Sequence, residues 1–167
     1  MELPKSLSTQ ENTQLKEILA RVKTYYQDAE SGHDWLHINR VWNNALQILE
    51  SEKANAFIVC LGVLFHDIAD PKFHDGDTEI APKLTRAILE EFEVAEEHIQ
   101  QVLDIVIFSS FSASKTAEKL PDFIEFKIVQ DADRLDAIGA IGIARTFNYG
   151  GYKNSPLYLP GDDSYNN

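Results

Sequence analysis

Two adjacent residues of types that commonly bind metal ions, His66 and Asp67, follow the most apolar segment of the sequence. The segment before them, residues 56–65, carries no charge. An ionised carboxylate beside such a segment needs a partner, because burying an unpaired charge is strongly unfavourable. A divalent cation held by both side chains would be one such partner. The alternative is a structural role, in which His66 interacts with the helix dipole and Asp67 pairs with an arginine.

A second group of polar residues lies around the start of an earlier predicted helix. His33 and His37 are four residues apart, and Arg40 follows His37 by three. Residues three or four apart share one face of a helix, so the imidazole of His37 and the cation of Arg40 are expected to lie side by side. This combination favours a functional site over a purely structural one.

Three carboxylates, from Asp131, Asp133 and Asp136, fall within six positions further along the chain. A run of charges usually forms a solvated helix face, but apolar residues flank these acids on both sides, which favours partial burial. Gly139 and Gly142 follow. Inside a helix, each glycine would lower the stability of the helix by about 1 kcal/mol relative to Ala. Small residues at these positions indicate close helix packing near the acids.

The composition excludes several classes of function. The 167 residues include 15 Lys and Arg against 27 Asp and Glu, which gives a formal net charge of −12. Nucleic-acid binding and docking on anionic lipid both need a basic surface, so neither is expected. A phosphorylated substrate remains compatible, because a bound cation can reverse the local field. The single cysteine, Cys60, leaves no intrachain disulfide and no thiolate metal cluster.

Apolar residues recur at helical spacing along most of the chain, and no alternating strand pattern of useful length appears. No segment resembles a signal peptide or reaches the roughly 18 apolar residues of a membrane span, so a cytoplasmic protein is expected. The sequence predicts one all-α domain over residues 1–167, a bundle of about six helices with an irregular tail from about Tyr149. The predicted helices cover approximately 9–29, 35–50, 53–66, 77–92, 95–108 and 122–148.

The polar residues occur in an order that resembles the HD-domain superfamily of metal-dependent phosphohydrolases. The matching elements are His37-x-x-Arg40-Val41, then His66-Asp67, then Ala132-Asp133-Arg134-Leu135. The resemblance implies an all-helical HD-domain bundle. The run QDADRLDAIGA at 130–140 is also similar to a bacterial subgroup of small HD proteins, which includes enzymes that release pyrophosphate from nucleoside triphosphates.

The resemblance implies a metal site formed by His37, His66, Asp67 and Asp133. Asp131 is the less favoured candidate for the fourth ligand. His33, Asp131 and Asp136 are candidates for residues that orient the ligands from behind, and His33 could instead line the mouth of the site. Two imidazoles and two carboxylates suit one divalent ion, and Mn, Ni, Fe, Co, Zn and Mg all remain open.

Further residues are candidates for roles in phosphate-ester chemistry. Asp70, three residues after Asp67, matches the spacing of a proton-transfer acid in some related nucleotidases and is predicted as general acid and base. The alternative is a helix cap or an ion pair with Lys72. Arg40, Lys72 and Arg134 are predicted to bind substrate phosphate, although each could pair with a local acid instead. Arg145 could contact the tail or the substrate.

The expected function is therefore metal-dependent hydrolysis of a small phosphorylated substrate, and a nucleoside triphosphate is the favoured substrate. One alternative is a 5′-nucleotidase or another small phosphomonoesterase. Another is a sensor that binds metal and nucleotide without turnover. A homodimer is compatible with the sequence. Similar chains usually continue with further C-terminal helices, so either this chain is shortened or its substrate wall is built differently.

Overall fold

The computed structural model describes residues 1–26, 34–69, 77–109 and 118–156. Within these ranges the chain forms seven α-helices and a short 3-10 turn at Thr24–Tyr26, and no strand. The predicted all-α class is therefore confirmed. The helices are α1 Thr9–Lys23, α2 Trp35–Leu49, α3 Ala56–Phe65, α4 Ile80–Glu91, α5 Glu96–Phe108, α6 Ile124–Asp136 and α7 Gly139–Tyr152.

Helix α3 lies at the centre of the bundle. All of its residues are buried, and it packs against α1, α2, α5 and α6. Its start is fixed by Asn55, whose side chain accepts hydrogen bonds from the backbone N–H groups of Phe57 and Ile58. The helix ends at Phe65, and the N–H of the next residue, His66, still donates a hydrogen bond to the carbonyl oxygen of Gly62. A helix that is apolar on every side has to be surrounded by others, as the sequence predicts.

The single long helix predicted over 122–148 is wrong, because the structure divides it into α6 and α7. Ile138 adopts an extended conformation, and Gly139 has φ +72°, in the left-handed region that side chains other than glycine rarely adopt. The backbone therefore leaves the axis of α6 after Asp136. Helix α7 also continues to Tyr152, past the position near Tyr149 where the sequence predicted an irregular tail to begin.

Helix α7 packs loosely on the rest of the described chain. Gly142 is its one buried residue, and a Cβ added there would lie 2.2 Å from the carbonyl oxygen of Ala137. The glycine thus permits a close approach between α7 and the end of α6. Large apolar side chains on and just before α7 are exposed, namely Ile138, Ile141, Ile143, Phe147, Tyr149 and Tyr152.

We expect Gly62→Ala to lower the free energy of unfolding by about 1–3 kcal/mol, through overpacking at the centre of α3. An added Cβ would lie 2.8 Å from Cδ1 of Ile105 and 2.9 Å from Cγ2 of Val129. The matched control is Gly150→Ala in α7, where an added Cβ meets nothing within 4 Å. The control should unfold at the same or a higher urea concentration than the wild type, because Ala is the better helix former. Equal urea midpoints for Gly62→Ala and the wild type would contradict this packing.

Candidate metal centre

Three segments that are distant in sequence place polar side chains at one point of the bundle. Asp34 caps α2 by accepting a hydrogen bond from the N–H of His37 at 2.9 Å, which fixes His37 in the first turn. The end of α3 supplies His66 and Asp67, and α6 supplies Asp133. His37 is fully buried, whereas the side chain of Asp133 is 32% exposed. The site is therefore buried on the histidine side and open on the aspartate side.

The side chains approach one another closely at this point. Nε2 of His37 lies 3.3 Å from Nε2 of His66, and each nitrogen lies 3.4 or 3.5 Å from Oδ2 of Asp67. Oδ1 of Asp133 lies 3.4 Å from Nε2 of His37 and 3.8 Å from Nε2 of His66. His37, His66 and Asp133 each offer a ligand atom within 4.8 Å of the other two. Asp67 adds an oxygen close to both imidazoles.

The partners of the other ring nitrogens determine the tautomers of both histidines. Nδ1 of His66 lies 2.9 Å from the carbonyl oxygen of Val63, which can only accept, so this nitrogen carries the proton. Nδ1 of His37 lies 2.7 Å from Oδ2 of Asp136 and 3.4 Å from Nη1 of Arg145. The much shorter contact with the carboxylate indicates that Nδ1 of His37 is also a donor. In the neutral form of each histidine, Nε2 therefore presents its lone pair to the centre.

With both histidines neutral, the two Nε2 atoms and the carboxylate oxygens of Asp67 and Asp133 beside them are all acceptors. Two imidazole lone pairs and two carboxylate oxygens repel one another unless a cation or a proton lies between them. Ligands about 2.0–2.2 Å from an ion in tetrahedral geometry lie about 3.3–3.6 Å apart, which is close to the observed spacing. The nitrogen and oxygen donors fit a borderline divalent ion without selecting one.

Asp136 connects this centre to two arginines. Its Oδ1 accepts a hydrogen bond from Nε of Arg40 at 2.6 Å, and its Oδ2 accepts one from Nη2 of Arg40 and one from Nη1 of Arg145, both at 3.0 Å. Burial alone would raise the pKa of Asp136, but the hydrogen bonds from Arg40 and His37 outweigh it and lower this pKa. Asp136 is thus ionised at neutral pH and can accept the proton of His37 Nδ1.

Two contacts that the sequence did not reveal, one buried and one partly buried, support the segments of the site. The hydroxyl of Tyr26 donates to the carbonyl oxygen of Leu64 at 2.9 Å, just before His66 in the chain. Burial and the nearby charge of Asp67 raise the pKa of Tyr26, so its hydroxyl stays protonated. Nδ2 of Asn44 donates to the carbonyl oxygen of Ala132 at 3.1 Å and ties α2 to α6. Neither residue has a sequence signal, because both act on backbone atoms.

The other predicted site residues divide into three groups. Asp136 lies behind His37, in the orienting position for which it was a candidate, and Arg40 pairs with Asp136, the local-acid alternative considered for it. Asp131 and Arg134 are exposed on α6. The other three candidates lie outside the residues that the structure describes, namely His33, Asp70 and Lys72.

Residues 35–138 match the family model of the HD domain. The chain belongs to the HD-domain family. The match covers all three segments of the candidate centre, from the start of α2 to the end of α6. HD domains bind divalent metal ions, in agreement with the His/Asp group described above. The narrower resemblance to a subgroup with the sequence at 130–140 remains a prediction.

Several relatives share both the sequence and the fold of this HD domain. The uncharacterized protein YpgQ of Bacillus subtilis is 42% identical over 152 residues, which cover 91% of this chain and 74% of YpgQ. The crystal structure of YpgQ in complex with ADP superposes with a TM-score of 0.69 and 36% identity, over 95% of this chain and 76% of that chain.

Two further solved structures extend the likeness. A protein of Lactobacillus plantarum superposes with a TM-score of 0.77 and 31% identity, over 93% of this chain and 69% of that chain. A protein of Bacillus thuringiensis described as an HD-superfamily hydrolase gives a TM-score of 0.68 and 41% identity, over 90% of this chain and 71% of that chain. Among the described residues of the present HD domain, no helix is long and apolar enough to cross a membrane.

Proposed function

We propose that this HD domain is a metal-dependent phosphohydrolase that acts on a nucleotide, with release of pyrophosphate from a nucleoside triphosphate as the favoured reaction. In the proposal His37, His66, Asp67 and Asp133 hold one divalent ion. Such an ion supplies a bound water of lowered pKa and polarises the phosphoryl group.

The observation that carries the proposal is the convergence of four acceptor atoms with fixed tautomers. A structural cluster would alternate donors and acceptors, because buried polar groups are normally paired. Here Val63 and Asp136 accept the two Nδ1–H donors from outside, so the Nε2 atoms of neutral His37 and His66 have only lone pairs to offer. This arrangement is suited to holding a cation and poorly suited to stabilising the bundle without one.

Positive side chains beside the centre favour a phosphorylated substrate. The Arg40 side chain is 35% exposed, and its pairing with Asp136 uses only part of its donor capacity, so it can also bind a phosphate oxygen. Arg134 follows Asp133 directly and is exposed on α6. Lys72 is proposed as the third phosphate contact because of its position in the sequence alone. Together with the ion, these cations would attract a polyanion to a chain of net charge −12.

Proton transfer is assigned to Asp70 in this proposal. Its support is its spacing, three residues after Asp67. A carboxylate there could take a proton from the attacking water and return it to the leaving group, as a general acid and base does. His33 and Asp131 keep the supporting roles suggested by the sequence, although the exposed position of Asp131 makes a ligand role less favourable.

The nucleotide preference is supported by a relative. YpgQ, which shares 36% identity and most of this fold, has been crystallised with ADP. A nucleoside diphosphate fits an ion that binds phosphate oxygens, with arginines beside it. ADP does not by itself favour triphosphates over monophosphates, and that preference derives from the resemblance of residues 130–140 alone.

We expect the purified protein to release pyrophosphate from at least one nucleoside triphosphate in the presence of Mn²⁺, Co²⁺, Ni²⁺, Zn²⁺ or Mg²⁺. The assay presents nucleoside mono-, di- and triphosphates with each ion and measures phosphate and pyrophosphate separately. Asp67→Ala is the matched control, because it removes one proposed ligand from the more exposed side of the centre. Its metal content by mass spectrometry should fall with its activity.

Each other outcome identifies a different function. Release of phosphate from monophosphates alone would favour a phosphomonoesterase. Tight nucleotide binding with no product after prolonged incubation would favour a sensor. Equal metal content in the wild type and Asp67→Ala would contradict the proposed ligand set.

A further inference from the structure

Helix α7 reaches the centre through one charged side chain. Arg145 extends from α7 to Asp136, where its Nη1 donates to Oδ2 at 3.0 Å and lies 3.4 Å from Nδ1 of His37. The side chain is 24% exposed, so most of it is covered. It is the one charged residue between Gly139 and Tyr152. A charge at this point of an otherwise uncharged helix calls for an explanation beyond solubility.

Oδ2 of Asp136 receives three donors from two different helices. His37 and Arg40 approach from α2, and Arg145 approaches from α7. The bond from His37 is the shortest, at 2.7 Å. Because the side chain of Asp136 is only 4% exposed, water has little access to compete for this oxygen. The orientation of the Asp136 carboxylate is therefore set by these three donors together.

We propose that Arg145 is a positioning residue, which holds the carboxylate of Asp136 against Nδ1 of His37 and anchors α7 beside the metal centre. The proposal rests on the proposed function, because its effect on the ion passes through His37. Charge-assisted hydrogen bonds from an arginine orient a carboxylate more strongly than neutral ones. An imidazole whose Nδ1–H is held by a fixed carboxylate keeps its tautomer and aims Nε2 at the ion.

The loose packing of α7 gives this contact a second consequence. Gly142 is the one buried residue of α7, so the described structure offers few apolar contacts to hold the helix in place. Within the described part of the chain, the ion pair between Arg145 and Asp136 therefore links α7 to the end of α6 through side chains. The break at Gly139 is what turns α7 back so that Arg145 can reach Asp136. A continuous helix would carry position 145 roughly 13 Å along its axis from position 136.

The test compares Arg145→Gln and Arg145→Lys with the wild type and with Arg86→Gln. Arg86 is the matched control, because it also bridges carboxylates, those of Glu90 and Glu96, on α4 and α5 away from the centre. Mn²⁺ affinity is measured by calorimetry, and hydrogen exchange of α7 is measured without metal. Arg145→Gln should weaken Mn²⁺ binding about 10-fold and speed exchange in α7. Arg145→Lys should recover part of both effects, and Arg86→Gln should change neither.

The outcomes separate this role from its alternatives. At saturating Mn²⁺, the KM for the best nucleotide should be unchanged in Arg145→Gln. A raised KM with unchanged Mn²⁺ affinity would overturn the positioning role in favour of direct contact with phosphate. Unchanged Mn²⁺ affinity and unchanged exchange would overturn it in favour of a surface ion pair without function. Failure of the wild type itself to bind Mn²⁺ would instead refute the proposed function, while the exchange of α7 would still test the anchor.

Discussion

Asp133→Ala is expected to abolish stoichiometric metal binding and, with it, the proposed phosphohydrolase activity. Residues that only orient a ligand typically contribute 10–100-fold in metal affinity, so the loss of a ligand should exceed about 100-fold. Metal content by mass spectrometry and kcat/KM measured across a Mn²⁺ titration check both expectations. The side chain of Asp133 is 32% exposed, so its truncation leaves no large cavity that would unfold the bundle.

Compared with the wild type, Asp133→Ala should be less stable in the presence of the ion but not in its absence. Without metal, the variant should be at least as stable as the wild type, because one of four converging acceptors is removed. With Mn²⁺ at 100 times its dissociation constant, the wild type gains about 2.7 kcal/mol and the variant gains much less. Urea unfolding of both proteins, with metal and with chelator, measures this reversal. An apo variant that is clearly less stable than the apo wild type would mean that Asp133 stabilises the fold directly.

Asp131→Ala is the matched control on the same helix. Asp131 is exposed, and it lies about 160° around α6 from Asp133 if each residue turns the helix by about 100°. Metal content, activity and stability should all stay near the wild-type values. Loss of metal in Asp131→Ala with retention in Asp133→Ala would transfer the fourth ligand to Asp131, the alternative that the sequence left open.

The sequence predicted the fold class and the three segments of the centre, but not the way in which they are connected. His66 was predictable because a polar residue after an apolar helix needs a partner. The convergence of His37 with Asp133 followed from the family resemblance and not from periodicity. The contact between His37 and Asp136 joins residues 99 positions apart, and no local pattern encodes which oxygen faces which nitrogen.

The error over the long helix has a specific physical origin. Apolar spacing continues through Leu135, Ile138 and Ile141, so periodicity alone favours one helix. Gly139 and Gly142 signalled an anomaly, but the structure shows close packing only at Gly142, because an added Cβ at Gly139 would meet nothing within 4 Å. The left-handed conformation of Gly139 is a backbone property that the sequence permits without requiring it. Arg145 therefore could not be assigned to Asp136 before the turn between α6 and α7 was known.

Asp136→Asn is expected to weaken Mn²⁺ binding by about 10–100-fold while leaving all four proposed ligands in place. An asparagine can accept hydrogen bonds only through its single oxygen, and its NH₂ group would face the donors of Arg40 or His37. The orientation of His37 and the tautomer that exposes Nε2 are then no longer enforced. Calorimetric titration with Mn²⁺ gives the affinity, and kcat/KM at saturating Mn²⁺ should recover most of the lost activity.

The same substitution should also destabilise the fold, and the pH dependence identifies the cause. We expect a loss of about 1–3 kcal/mol at neutral pH, because Arg40 and Arg145 lose a charged acceptor. The pKa of Asp136 is lowered in the folded state, so its contribution is fully present above the ordinary carboxyl pKa near 4. It disappears as the pH falls through the lowered pKa. The contribution of the Asp136 charge to this stability difference should therefore persist above about pH 5 and be lost only in stronger acid.

Asp122→Asn is the control for charge removal without this network. Asp122 is exposed and pairs with Lys127 at the other end of α6, where solvent screens the interaction. Its substitution should change neither Mn²⁺ affinity nor, by more than about 0.5 kcal/mol, the free energy of unfolding. If Asp136→Asn bound Mn²⁺ as tightly as Asp122→Asn, the carboxylate behind His37 would serve only to hold α2, α6 and α7 together. A metal-specific loss confined to Asp136→Asn is the result that links this ion-pair network to the chemistry of the centre.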